Sequence, residues 1–144
     1  MCEPFMDLSF DLTAGDFERA GEASGKIKKT LQQIGVSADI VRRVAIGTYE
    51  GEMNVIIHSH GGTAKAHIYP EYTVVVLEDT GPGIADIELA VQEGYSTAPD
   101  YVRDLGFGAG MGLPNMKSCS DCFEIVSKAG EGTKITMRFA HKKA

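Results

Sequence analysis

An α/β sandwich is the fold class that this 144-residue sequence predicts, and three stretches point to it. Thr73 to Leu77 is a continuous apolar, mostly β-branched run, which reads as a buried strand. Ala20, Ser24, Ile27, Leu31 and Ile34 recur at helical spacing and form one stripe. From Thr133 to Phe139 the pattern alternates, with Ile135, Met137 and Phe139 facing inward and Lys134, Thr136 and Arg138 facing out. A chain of this length makes one domain, residues 1–144, with a sizeable core.

Phe5 to Leu12 alternates enough to form a first strand. Thr13 to Asp16 has capping-box spacing, with aspartate at the fourth position, and predicts the start of the helix that carries the stripe. Gly35 is its stop. Ser37 is placed to cap a second helix that runs to about Ser59, with Val41, Val44 and Thr48 turned to the core. Gly47 and Gly51 each cost that helix ~1 kcal/mol relative to alanine, a cost that close backbone packing or the approach of a ligand would explain. Gly61 and Gly62 end it. Thr63 to Tyr69 and Tyr72 to Asp79 read as antiparallel strands around Pro70 and Glu71. Ile84 to Gln92 predicts a short helix, and the polar stretch from Glu93 to Leu105 a lid. Met111 to Ser120 predicts a last helix, and Cys122 to Lys128 with Thr133 to Phe139 a closing hairpin.

The run from Gly106 to Leu113 alternates glycine with other residues, so its backbone N–H groups are free to approach a large anion such as a phosphate chain. It fits neither the dinucleotide fingerprint nor a Walker A loop, because no Gly-Lys-Ser or Gly-Lys-Thr occurs in the chain. Upstream, the Thr73–Leu77 strand delivers Glu78 and Asp79 to a turn at Thr80 to Gly83. Glu50, Asn54 and His58 share one helix face, drifting only ~40° per step. A carboxylate one turn from a carboxamide suits magnesium, which takes few protein oxygens alongside phosphates.

Composition narrows the class further. A net charge of −6 argues against general nucleic-acid binding. No apolar run approaches the ~20 residues of a membrane span, and the N-terminus lacks the pattern of a signal peptide. With an odd count of 3 cysteines, the chain reads as a soluble cytoplasmic protein in a reducing compartment. Cys119 and Cys122 form a lone CxxC, which suits half a zinc site, a redox pair or neither.

Glu50-x-x-x-Asn54, Asp79-x-Gly81-x-Gly83, the Gly106–Gly112 run and Gly130-Glu131-Gly132-Thr133 resemble, in order and spacing, the four ATP-binding boxes of the GHKL (Bergerat-fold) superfamily. They cover about residues 40 to 139. Within it the chain is similar to the small anti-sigma factor serine/threonine kinases of bacterial partner-switching systems. The resemblance implies a mixed, largely antiparallel sheet with helices on one face and ATP with magnesium between helices and lid. It makes Asp79 the acceptor for the adenine amine and lets Gly81 and Gly83 pass close beneath the base, beside Ile84. Thr133 would reach the adenine through water. Asn54 would hold magnesium. Gly106, Gly108, Gly110, Met111, Gly112 and Leu113 would cradle the phosphates, and Arg103 would pair with the terminal one. Glu50 would be the catalytic residue, orienting or deprotonating a serine hydroxyl or a water. His58 is expected to be structural.

The implied function is an ATP- and magnesium-dependent serine/threonine kinase acting on a regulatory protein, an anti-anti-sigma-like domain or a sigma factor. The alternative is a non-catalytic module in which ATP sets the grip on such a partner. A homodimer through the first strand or its helix is a further implication. The chain has no room for the phospho-acceptor domain of a sensor histidine kinase or the large extra domains of gyrase- and chaperone-type ATPases. Two features depart from the pattern: Glu52 adds a second carboxylate near the site, expected to bind a cation or be solvated, and the lid is acidic at Asp100 and Asp104.

Overall fold

Alternating side chains build a five-stranded sheet, in a computed structural model that describes residues 6–81 and 112–141. Strands β1 (Met6–Leu12), β2 (Gly62–Ile68), β3 (Tyr72–Asp79), β4 (Cys122–Lys128) and β5 (Gly132–Ala140) lie in the order β1-β2-β3-β5-β4. Helices α1 (Glu22–Gln33), α2 (Ala38–His58) and α3 (Gly112–Cys119) cover one face. Ala64, Ala66 and Ile68 of β2, Val75 and Leu77 of β3, and Ile135, Met137 and Phe139 of β5 bury their side chains beneath the helices. Ile27 and Leu31 of α1, Val41, Val44 and Val55 of α2, and Met116 of α3 close the same core. The α/β sandwich expected from the sequence is therefore the fold observed.

Every strand pairing among the described residues is antiparallel, so the parallel component expected of a mixed sheet is not found there. The reason is visible between β1 and β2. Two packed helices, not a single crossover helix, join these strands, so the path β1–α1–α2–β2 reverses three times and returns the chain antiparallel.

Helix α2 lies close on the sheet because two of its residues are glycines. A Cβ on Gly51 would stand 2.5 Å from Leu77 Cδ1, and one on Gly47 would stand 3.2 Å from both Met137 Sδ and Phe139 Cζ. Close packing accounts for both glycines. Their helix-propensity cost is offset by this approach.

The start of α1 corrects the sequence reading. The Thr13–Asp16 segment forms a turn, with Asp16 N–H donating to Thr13 O at 3.2 Å, and a short 3-10 turn follows at Phe17–Arg19. The helix begins only at Glu22, after Gly21 in the left-handed region (φ 96°), and has no local side-chain cap. Its cap comes from α2. The N–H groups of Gly21, Ala23 and Ser24 donate to the Glu52 carboxylate at 3.0, 3.1 and 3.1 Å. Glu52 is fully buried, so it is neither solvated nor a cation ligand at the expected site. Orphan donors at a helix start, joined to the positive end of its dipole, explain how a carboxylate is kept there. Ser37 does occupy the N-cap position of α2, though its hydroxyl makes no capping bond.

Glu52→Ala should lower folding stability by about 3 kcal/mol, because it strands buried N–H donors and leaves a void. Urea unfolding with an unchanged slope would measure it. A loss below about 0.5 kcal/mol would show that the carboxylate does not hold α1.

Candidate functional site

Along α2, residues Gly51, Glu52, Met53, Val55 and Ile56 are buried, whereas Glu50, Asn54 and His58 are only partly so. The periodicity that put these three on one face is thus a half-open stripe beside the buried side of the helix. One end of the stripe meets α3 and the other meets the end of β3.

At the α3 end, a Cβ on Gly112 would stand 3.4 Å from Glu50 Oε2, and the Asn115 side chain hydrogen-bonds the Glu50 carboxyl. Burial raises the Glu50 pKa, and the Asn115 bond opposes that rise. Pro114 falls in the first turn of α3, where its missing N–H costs no intrahelical bond. Leu113 is buried in the core, so its side chain is not available to a ligand. Asn115 was not anticipated from the sequence. Its role depends on α2 packing against α3, which no local pattern encodes.

At the β3 end, sheet register sets Asp79 opposite Thr133. Thr133 N–H donates to Asp79 Oδ1 at 3.2 Å, and the Thr133 hydroxyl shares a hydrogen bond of 2.8 Å with Ser127 Oγ. Burial raises the Asp79 pKa, while the Thr133 N–H and the nearby His60 pull it down. The chain around Asp79 is crowded on both sides. A Cβ on Gly62 would collide with Glu78 O, and one on Gly132 (φ 134°) with Asp79 O. Gly81 passes against the end of α2, where His60 N–H donates to Thr80 O at 2.7 Å and Thr80 N–H to Gly61 O at 3.1 Å. His58 lies at this helix end with its pKa lowered by burial. Ser127 was also not anticipated, although it follows from the register once β4 and β5 are paired, since it faces Thr133 directly.

The structure therefore brings Asp79 together with Thr133, and Glu50 together with Gly112, with Asn54 on the stripe between. Gly83, Ile84, Arg103, Gly106, Gly108, Gly110 and Met111 lie outside the described residues, as do the expected helix at 84–92 and the lid at 93–105. The donor set suits an adenine nucleotide. Asp79 is a half-buried carboxylate with one oxygen held by a backbone N–H, leaving acceptor capacity for an amine. Asn54 and Glu50 offer hard oxygen ligands one turn apart.

The CxxC does not behave as a pair. Cys119 packs against the core and lies under Gly47, and burial raises its pKa. Cys122 is exposed on β4, where Phe123 and Ile125 take the core side, so alternation sends the two thiols to opposite sides of the sheet. Among the described residues no group of three or more His, Cys, Asp or Glu is arranged to hold a metal. Nor is any described helix long and apolar enough to cross a membrane.

Comparison with known proteins bears on this geometry. Residues 48–143 match the family described as histidine kinase-, DNA gyrase B- and HSP90-like ATPase. The chain is 43% identical over 61 residues to the serine/threonine-protein kinase RsbT of Bacillus subtilis, covering 42% of this chain and 40% of that protein. It is 29% identical over 143 residues to the anti-sigma F factor of Clostridium acetobutylicum, covering 96% of this chain and 94% of the relative. The anti-sigma F factor of Clostridium beijerinckii is 29% identical over 114 residues, 75% of this chain and 76% of that one. Among solved structures, the RsbU and RsbW domains of Rv1364c from Mycobacterium tuberculosis superpose with a TM-score of 0.59 at 15% identity. That match covers 98% of this chain and 34% of the other, and supports the fold alone. The four boxes, the sandwich and the family match agree: the chain belongs to the histidine kinase-, DNA gyrase B- and HSP90-like (GHKL) family of ATP-binding domains.

Proposed function

We infer that this protein is an ATP- and magnesium-dependent serine/threonine kinase of the anti-sigma regulatory type, acting on a regulatory protein partner. The observation that carries the reading is Glu50. It is a partly buried carboxylate with a raised pKa, set beside the start of α3 and one turn from Asn54. A carboxylate whose proton affinity is raised by burial is a better general base than a solvated one. The kinase named among the relatives supports the same reading.

Asp79 holds the adenine amine and Asn54 holds magnesium in this reading. ATP, when bound, supplies the phosphoryl group. Glu50 accepts the proton of the attacking serine hydroxyl, and Asn115 fixes the carboxylate that does so. Backbone N–H groups at the α3 start and the preceding glycine run receive the phosphates.

Calorimetry should show magnesium-dependent ATP binding that Asp79→Asn abolishes. Glu50→Ala should keep that binding while label transfer from ATP to the regulatory partner falls by at least about 100-fold. Equal inertness of wild type and variant, with binding intact, would make the protein a nucleotide-gated binding module.

The pH dependence follows from the Glu50 environment. Asn115→Ala removes the bond that lowers the Glu50 pKa, so the acid limb of the pH–activity profile should move to higher pH. An unmoved limb would separate Glu50 from the titration. Because the folded-state pKa is raised, the folded protein binds more protons than the unfolded chain between the two values. Stability contributed by this group is therefore present at low pH and lost as pH rises through that window. Glu50→Gln should accordingly unfold at higher temperature than wild type above the raised pKa. The difference should vanish below the ordinary value of 4.5.

A further inference from the structure

Charge is unevenly distributed along this chain. Residues 23–47 carry five Lys/Arg against a single Asp, a net of +4, whereas the remainder carries nine Lys/Arg against nineteen Asp/Glu, a net of −10. The fold concentrates that contrast, because α1 and α2 pack side by side. A cleft of about 360 Å³ opens between them, lined by Lys28, Gln32, Val36, Ala38, Val41 and Arg42.

The cations here are largely unspent. Lys26, Lys28 and Lys29 are exposed, and none takes part in an ion pair among the described residues. Arg42 reaches Asp39 at 3.2 Å but leaves its side chain 72% exposed. Exposed ion pairs of this kind hold a side chain only weakly. The floor of the cleft is apolar, formed by Val36 and the buried Val41. Among the described residues, two of the three exposed large aliphatic side chains belong to the same two helices, Ile34 at the end of α1 (39% exposed) and Ile46 (42% exposed), one turn beyond Arg42 on α2.

Charge and shape together select the occupant. A nucleic acid or an anionic lipid surface would engage the lysines, but it would meet a protein whose other residues sum to −10, and phosphate groups offer nothing to Val36, Ala38, Ile34 and Ile46. A protein segment that carries both carboxylates and aliphatic anchors satisfies both halves of the patch. We propose that the α1–α2 face is a docking surface for an acidic amphipathic protein segment, its carboxylates meeting Lys28 and Arg42 and its aliphatic side chains covering Val36 and Ala38. The surface does not depend on phosphoryl transfer. Arg42 and Glu50 are eight residues apart, about 12 Å along α2, so a segment docked here leaves the nucleotide stripe open.

The probe is a helical peptide built from glutamate and leucine, with a lysine–leucine peptide as control, titrated into the full chain and followed by amide chemical shifts. Shifts should concentrate at residues 26–46. Lys28→Glu combined with Arg42→Glu should weaken the glutamate–leucine peptide by at least about tenfold, with the thermal midpoint serving as the check on folding. Should the double reversal fail to fold, Lys28→Gln with Arg42→Gln should give the same direction with a smaller effect. Undiminished binding in the folded variants, shifts centred on the open face of the sheet, or equal affinity for the lysine–leucine peptide would overturn the proposal. So would tighter binding of duplex DNA or phosphatidylglycerol vesicles than of the peptide. Self-association that the charge reversal abolishes would assign the surface to a second copy and overturn it equally.

Discussion

Glu52 is the constraint on which the rest of this structure depends. A fully buried carboxylate is costly to desolvate, and here the cost is met by three backbone N–H donors at the start of α1. Those donors would otherwise be orphans, since α1 begins after a left-handed glycine with no local cap. Each group thus solves the other's problem. The bond also fixes the rotation of α2 about its axis, because Glu52 must face α1. Two residues earlier, and so about 200° away around the helix, Glu50 must then face α3. Two carboxylates on one helix each meet the start of a neighbouring helix. The buried one caps α1, and the half-buried one lies beside the first residue of α3.

The sheet fixes the second half of the site by a different means. Asp79 is the last residue of β3, flanked by Gly62 on β2 and Gly132 on β5, and neither position tolerates a Cβ. Neighbouring backbones therefore close tightly on the strand end. Register rather than side-chain packing aligns Asp79 with Thr133. Gly51 and Gly47 then let α2 lie near enough to β3 and β5 for the helix stripe and the strand end to share one surface.

Much of this was legible in the sequence where the signal was local. The β-branched run of β3, the alternation of β5 and the i, i+4, i+8 stripe of α2 each report a periodicity that burial enforces. Asp79 and Thr133 were each singled out through the glycine boxes, whereas their direct pairing came only with the register of β3 on β5. Other features were not. Thr13–Asp16 carried a capping pattern, yet the cap came from a glutamate 28 to 31 residues along the chain from the donors it satisfies. Asn115 and the divergent directions of Cys119 and Cys122 likewise depend on which element lies opposite. Tertiary proximity of this kind leaves no trace in a window of neighbouring residues.

An acidic domain that receives a polyphosphate must supply its positive potential without many cations, and the composition shows how. Residues 105–113 contain no Lys or Arg, and glycine stands at every second position from 106 to 112. Backbone N–H dipoles at the start of α3 are fixed partial charges that need no counter-carboxylate and occupy no side-chain volume. Side-chain charge near the site is then free to be acidic, and Glu50 is. Phosphates arriving beside it would raise its pKa further. The Asn115 hydrogen bond opposes such a rise, and it is already in place in the protein alone. Part of what holds the Glu50 pKa down is thus built into the packing of α2 on α3.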